Sequence, residues 1–330
     1  MPETPQRPRV VVTRRAPGPA LERLLSRCAA WVWEEDRAIP PEVLRERAAE
    51  AEGLFTMLTD RVDAGVLAAA PRLRVVSNMA VGVDNVDVAA CTARGIPVGN
   101  TPGVVTEATA DFAFALLLAL SRRVAEADRF VKAGRWREWS PTLVIANDVY
   151  DKTLGIVGMG RIGQAIARRA RGFGMAMLYH ARSPKPALEA ELGLAWRSLE
   201  ALLAEADIVV LILPLTAETH RLIDAAALAR MKPGALLINV ARGPIVDPRA
   251  LYEALAGGRL RGAALDVTDP EPIAPDDPLL TLDNCLLAPH VGTSTWETRA
   301  AMCEIAVDNL LAGLAGKPLR HCVNPEAGTK

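Results

Sequence analysis

The chain contains only four histidines, so each can be weighed by its surroundings. His290 follows Leu286-Leu287-Ala288-Pro289 and precedes Val291-Gly292-Thr293-Ser294, the pattern of a strand end running toward a helix start. Ligands gather at strand carboxyl ends in open parallel sheets, and an imidazole placed there can move a proton near neutral pH. His180 at another strand end, His220 in a polar helix start and His321 near the C-terminus read as structural or solvated. Arg242 ends the apolar run Leu236-Leu237-Ile238-Asn239-Val240-Ala241, which delivers a guanidinium suited to bidentate recognition of a carboxylate. Glu271 is fixed between Pro270 and Pro272 rather than left on a loose loop. Taken singly, each of the three also fits a surface ion or a helix-capping charge.

A second constellation suits a nucleotide. In Lys152-Thr153-Leu154-Gly155-Ile156-Val157-Gly158-Met159-Gly160-Arg161-Ile162-Gly163 an apolar strand pattern empties into three glycines and then a helical pattern. Gly158 allows a tight turn, Gly160 lets backbone approach a pyrophosphate, and Gly163 lets the helix pack closely on the sheet. The N–H groups at that helix start favour an anion. Alone the pattern also fits an ordinary glycine loop. About 20 residues further on, where an NAD site carries an acid for the ribose hydroxyls, the next strand ends Tyr179-His180-Ala181-Arg182-Ser183-Pro184-Lys185. No acid is present, and Arg182, Ser183 and Lys185 offer charge-assisted hydrogen bonds to a 2′-phosphate. NADP(H) is expected in preference to NAD(H), the alternative being that both cations are merely solvated.

The elements that must position these groups follow a βαβ rhythm. Val10–Val12, Ala30–Trp33, Gly53–Met57 and Leu73–Ser77 alternate with helical patterns from Gly18, from Pro41 and over Asp63–Ala69. The rhythm restarts after Asp151 with strands at Met175–Tyr179, Ile208–Leu213, Ala235–Val240 and Ala263–Val267, so two α/β units with parallel sheets are expected. Thr106–Lys132 reads as one long helix, Asp266–Pro289 as a long ordered loop and Trp296–Leu314 as an amphipathic closing helix. Trp136 and Trp139 lie in a short polar loop, which calls for a contact with a partner subunit, a ligand or the protein's own interior.

Thirty-eight basic residues balance 39 acidic ones, so neither nucleic acid nor a membrane surface is an expected partner. No apolar run approaches the ~18 residues that span a bilayer, and residues 1–9 are polar and proline-rich without a signal-peptide core, so a cytoplasmic location is expected. Five cysteines in no CxxC spacing indicate free thiols and no metal site.

The glycine run, Ala241-Arg242-Gly243, the Leu265-Asp266-Val267 to Glu271-Pro272 stretch and Pro289-His290-Val291-Gly292 stand in an order and spacing that resembles the D-2-hydroxyacid dehydrogenases over nearly the whole chain. Asn100-Thr101-Pro102-Gly103-Val104-Val105-Thr106-Glu107 and the Trp136/Trp139 loop look most like the glyoxylate/hydroxypyruvate reductases of that family. The resemblance implies two Rossmann-like domains with an interdomain active-site cleft. One is a flavodoxin-like substrate domain over 1–103 with 293–330; the other is a dinucleotide-binding domain over 104–292. It implies a homodimer joined through the helix of Thr106–Lys132, with Trp139 reaching the neighbouring subunit's site. Arg242, Glu271 and His290 become the catalytic set for a small 2-oxo acid: the guanidinium clamps the carboxylate and polarises the carbonyl, and His290 as imidazolium is the general acid, oriented and favoured in that form by Glu271. Leu58, Val81, Gly82, Arg242, His290 and Trp139 are implied as substrate contacts, with Met79–Val83 supplying backbone donors. Cofactor contacts are implied at Thr106, Gly158, Gly160, Arg161, Ile162, Gly163, Ala181, Arg182, Ser183, Lys185, Val240, Ala241, Asp266 and Gly292. Phosphite dehydrogenase shares the scaffold and the Arg/Glu/His set, and the nucleotide-sensing C-terminal-binding-protein corepressors also resemble the family; these are the alternatives to oxo-acid reduction.

Overall fold

A computed structural model describes residues 7–328. The chain divides into two compact units, one running to Val105 and resuming at Ser294, the other spanning Thr106–Thr293. The crossings therefore fall at 105/106 and 293/294, where the sequence reading placed them at 103/104 and 292/293. The first helix of the second unit begins at Thr106 itself. Of the polar start expected over residues 1–9, residues 1–6 lie outside the described residues.

The first unit is built on β1 (Arg9–Val12), β2 (Ala29–Val32), β3 (Gly53–Thr56), β4 (Val75–Asn78) and β5 (Val98–Gly99), all parallel, in the order β2-β1-β3-β4-β5. This is the flavodoxin-like order. β3 and β4 are buried throughout, as central strands covered on both faces must be. Asp63 and Asp87 cap the helices Ala64–Ala69 and Val88–Ala93 by accepting backbone N–H groups of Val66 and Ala90. The closing helix Trp296–Leu314 returns to this unit, where Ser77 Oγ donates to Ala306 O at 2.7 Å. It packs so closely that a Cβ at Gly313 would lie 2.5 Å from Val75.

The second unit holds β6 (Thr153–Val157), β7 (Ala176–His180), β8 (Leu194–Trp196), β9 (Ile208–Leu211), β10 (Leu236–Asn239), β11 (Gly262–Leu265) and β12 (Cys285–Leu287). All are parallel in the order β12-β11-β10-β9-β6-β7-β8, the dinucleotide-fold order extended by one edge strand. Successive side chains supply opposite cores: Ile156, Ile208 and Val210 pack on one face, Val157, Val209 and Leu211 on the other.

Several expectations are corrected. Thr106–Lys132 is two helices, Thr106–Ser121 and Val124–Lys132, broken at Arg123, whose φ is 52°. Arg123 Nε donates to Glu126 at 2.8 Å and Nη1 to Ile145 O at 2.8 Å, holding a left-handed residue where neither glycine nor proline marks a break. Asp266–Pro289 is not one loop, since it contains a 3-10 turn at Pro278–Thr281 and the edge strand β12. His220 lies in a turn, and the following helix starts only at Ala225 behind Asp224. The chain's own interior does not cover Trp136 and Trp139, which are 58% and 78% exposed. Among the described residues no helix is long and apolar enough to cross a membrane, and no cluster of His, Cys, Asp and Glu could hold a metal ion.

Candidate active site

The strand β6 opens into the glycine turn. Gly158 has φ 107°, and a Cβ there would sit 2.1 Å from Ile212 O; one at Gly163 would sit 2.2 Å from Gly158 O. Only glycine fits either place. A Cβ at Gly160 would meet nothing within 4 Å, so the backbone there faces open space. Gly160 is also the N-cap of the helix Arg161–Arg171 and no side chain caps it, leaving first-turn N–H groups for an anion. Ile162 packs against the core while Arg161 is exposed beside this turn. These features fit a dinucleotide's pyrophosphate.

The turn after β7 is held from beneath. Tyr179, fully buried, donates its hydroxyl to Glu189 at 2.9 Å and accepts Lys185 N–H at 2.5 Å. Trp196 Nε1 donates to Ala181 O at 3.1 Å. Above this anchorage Arg182, Ser183 and Lys185 are exposed, and among the described residues their side chains have no protein partner. The turn thus presents two cations and a hydroxyl and no carboxylate.

At the ends of β10, β11 and β12 the ionisable groups gather. Asn239, 1% exposed, accepts Ala241 N–H at 3.0 Å and donates to Arg242 O at 3.0 Å, clamping the turn that carries the guanidinium. Arg242 Nη1 donates to Ala241 O at 2.8 Å. A Cβ at Gly243 would lie 1.9 Å from Thr268 O, so this turn and the loop of Glu271 are in backbone contact. Asp266, buried at the end of β11, accepts Val291 N–H at 2.7 Å and Gly292 N–H at 2.8 Å, and its carbonyl accepts His290 N–H at 2.8 Å. Burial pushes the Asp266 carboxyl above the usual range against the pull of those two N–H groups. The three bonds hold His290 at φ 55°, a left-handed conformation a non-glycine residue adopts only when its surroundings fix it. Glu271 Oε2 accepts Thr268 N–H at 3.4 Å, and its Oε1 lies 2.6 Å from His290 Nδ1. Both side chains are partly exposed, at 34% and 24%. Such a pair can transfer a proton through Nε2 while the carboxylate holds the ring.

Asn239 escaped the sequence reading, although an amide inside an apolar strand run was a visible signal. Thr106 begins its helix and Val240 and Ala241 are buried in the Asn239 clamp. Leu58, Val81 and Gly82 belong to the first unit, in loops after β3 and β4, with Val81 39% exposed. Trp139 lies on the exposed segment beyond Lys132.

The family described as D-isomer specific 2-hydroxyacid dehydrogenase, NAD binding domain, matches residues 114–292. A glyoxylate reductase of Thermococcus kodakarensis is 50% identical, covering 97% of this chain and 97% of its own. A solved protein of Thermus thermophilus superposes with a TM-score of 0.91 at 50% identity, over 96% of this chain and 99% of its own. An NADPH-dependent glyoxylate/hydroxypyruvate reductase of Sinorhizobium meliloti, solved with NADP and malonate, gives 0.84 at 34% identity over 98% of both chains. With a match across more than half its length and relatives this similar, the chain belongs to the D-isomer-specific 2-hydroxyacid dehydrogenase family.

Proposed function

We propose that this protein reduces glyoxylate, hydroxypyruvate and related small 2-oxo acids to 2-hydroxy acids with NADPH. The observation that carries the reading is the Glu271–His290 pair, 2.6 Å apart at the end of the strand beside the one that delivers Asp266. Glu271 accepts from Nδ1 and fixes the ring, so Nε2 is the nitrogen that gives its proton to the carbonyl oxygen as charge develops there. Arg242 clamps the substrate carboxylate and polarises the carbonyl. Leu58 is an apolar wall, and backbone N–H groups of the Met79–Val83 loop donate to the carboxylate. When bound, the reduced nicotinamide supplies the hydride. Its pyrophosphate is held at Gly158, Gly160, Arg161, Ile162 and Gly163, its adenosine phosphate at Ala181, Arg182, Ser183 and Lys185, and its nicotinamide end by Thr106, Val240, Ala241, Asp266 and Gly292.

NADP(H) is preferred over NAD(H) in this reading because, among the described residues, the side chains of Arg182, Ser183 and Lys185 have no protein partner and no acid stands between them. The NADP-bound relative agrees with that preference. Val124, Val131, Trp136, Trp139 and Ile145 are each more than half exposed, an apolar surface suited to a second copy of the chain. The protein is accordingly a homodimer, and Trp139 contributes to the partner's substrate pocket.

Initial rates with NADPH and NADH across glyoxylate, hydroxypyruvate and pyruvate test the reading, with phosphite oxidation as the counter-assay. Oxo-acid reduction faster with NADPH is expected; phosphite turnover without oxo-acid turnover ends the proposal. Replacing Arg182 with Ala should reduce the NADPH-to-NADH preference in kcat/KM by about 10–100-fold, the value of one charge-assisted bond. An unchanged preference removes the cofactor assignment.

A further inference from the structure

The loop after β4 has three successive carbonyls tied back into the first unit. Ala80 O accepts Thr101 N–H at 2.9 Å, Val81 O accepts Asn100 Nδ2 at 2.9 Å, and Gly82 O accepts Asn78 Nδ2 at 3.0 Å. In a planar trans peptide the C=O and N–H point in opposite directions. The N–H groups of Val81, Gly82 and Val83 are therefore each turned away from the scaffold that holds their peptide's carbonyl. Among the described residues no protein acceptor takes any of the three.

Asn78 is rigidly set for this task. It is fully buried; its Oδ1 accepts from Thr56 Oγ1 at 3.0 Å and Asn85 Nδ2 at 3.2 Å, and its Nδ2 also reaches Asn85 Oδ1 at 3.1 Å. Asn85 in turn donates to Met57 O and Asp60 O, both at 2.9 Å, which brackets the segment containing Leu58. Asn100 is anchored through its own carbonyl, which accepts Asn309 Nδ2 at 3.0 Å. An amide suits this position, because it gives donors to a carbonyl and an acceptor to a hydroxyl from two separate atoms without carrying charge.

We infer that Asn78 and Asn100 are positioning residues for carboxylate recognition: by holding the Gly82 and Val81 carbonyls they present the N–H groups of Val83 and Gly82 to the carboxylate of a 2-oxo acid. Asn85 extends the same control to the apolar wall at Leu58. The inference rests on the proposed reading that this loop meets the substrate.

The test compares Asn100→Ala, at a half-buried position, with Asn78→Asp, which keeps shape but replaces the Nδ2 donor by a second oxygen. KM for glyoxylate, kcat, NADPH affinity by fluorescence and melting temperature are measured on the full-length protein. Each variant should raise KM about tenfold, the loss expected when a charge-assisted bond is misaimed, with kcat falling far less and NADPH affinity unchanged. If Asn78→Asp does not fold, Asn100→Ala decides alone. An unchanged KM, or a loss spread equally over KM, kcat and NADPH affinity, overturns the inference while oxo-acid reduction by the unaltered protein leaves the functional reading standing. Failure of the unaltered protein to reduce any 2-oxo acid ends both.

Discussion

At the ends of β3 and β4 the loops are held by neutral groups: Thr56, Asn78, Asn85 and Asn100 exchange hydrogen bonds with one another and with backbone. At the ends of β10, β11 and β12 the corresponding places carry Arg242, Asp266, Glu271 and His290, and the bonds are mostly to ionisable groups. The difference separates two tasks. Amides fix geometry and do not titrate, so they suit a surface that only binds. Charged groups cost more to place but can move a proton or stabilise developing charge. Asn239 shows the two means combined, an amide that positions the charged Arg242 turn.

The sharpest way to break this contrast is at His290. Its replacement by Ala should lower kcat by about 10²–10⁴-fold, the range of a lost general acid, with NADPH affinity retained because the cradle at Gly158–Gly163 is untouched. Steady-state rates and NADPH fluorescence titration measure both; near-normal turnover would show that the ionisable end does not perform the proton transfer. The glycine turn gives a smaller and divided effect. Gly158→Ala forces a Cβ to within 2.1 Å of Ile212 O at φ 107°, and should destabilise the second unit by about 1–3 kcal/mol or more in a denaturant melt. Gly160→Ala meets no protein atom and should melt normally while weakening NADPH binding, since its Cβ enters the space assigned to the pyrophosphate. Equal behaviour of the two would show that this turn is packing alone.

Much of this was legible in residue order, and what was hidden was hidden for physical reasons. Parallel strands buried on both faces leave continuous apolar runs, so β3, β6, β9 and β10 stand out, and the closing helix Trp296–Leu314 is bounded as its pattern suggests. The break at Arg123 depends on Ile145 O, 22 residues away, a tertiary contact that no local pattern encodes. β12 is three residues long and pairs on one side only, with β11; Leu286-Leu287-Ala288-Pro289 marks its end before His290, but the prolines and acids upstream hide where it begins inside what reads as one loop. Arg242 and His290 stand out because ionisable residues at the ends of apolar runs are conspicuous, and Glu271 because prolines flank it on both sides. Asn78, Asn85 and Asn100 were not, because an isolated amide says nothing until its carbonyl partners are known.

The smallest expected effect probes the exception in the neutral region, Asp60. It is 2% exposed and accepts Met57 N–H at 2.7 Å, with the hydroxyls of Thr13 and Thr59 also upon it. Burial nevertheless pushes its carboxyl above the ordinary 3.8, outweighing those bonds and Arg14. A carboxyl whose pKa is higher folded than unfolded binds its proton more tightly in the folded state. Its contribution therefore favours folding below the unfolded value and is lost as pH rises through the folded one. Asp60→Asn removes that dependence. The new amide can be accommodated: its oxygen can stand in for Oδ2, accepting Met57 N–H and the Thr13 hydroxyl, and its NH₂ can face Thr59 Oγ1, which lies 3.3 Å from the other carboxylate oxygen. The melting temperature of Asp60→Asn relative to the unaltered protein should thus be higher at pH 7.5 than at pH 4. A difference that does not change with pH would mean that folding leaves this carboxyl unshifted; one that grows on acidification would mean the carboxylate is held in the folded state as a favoured charge, and that the first unit's loops depend on an ion after all.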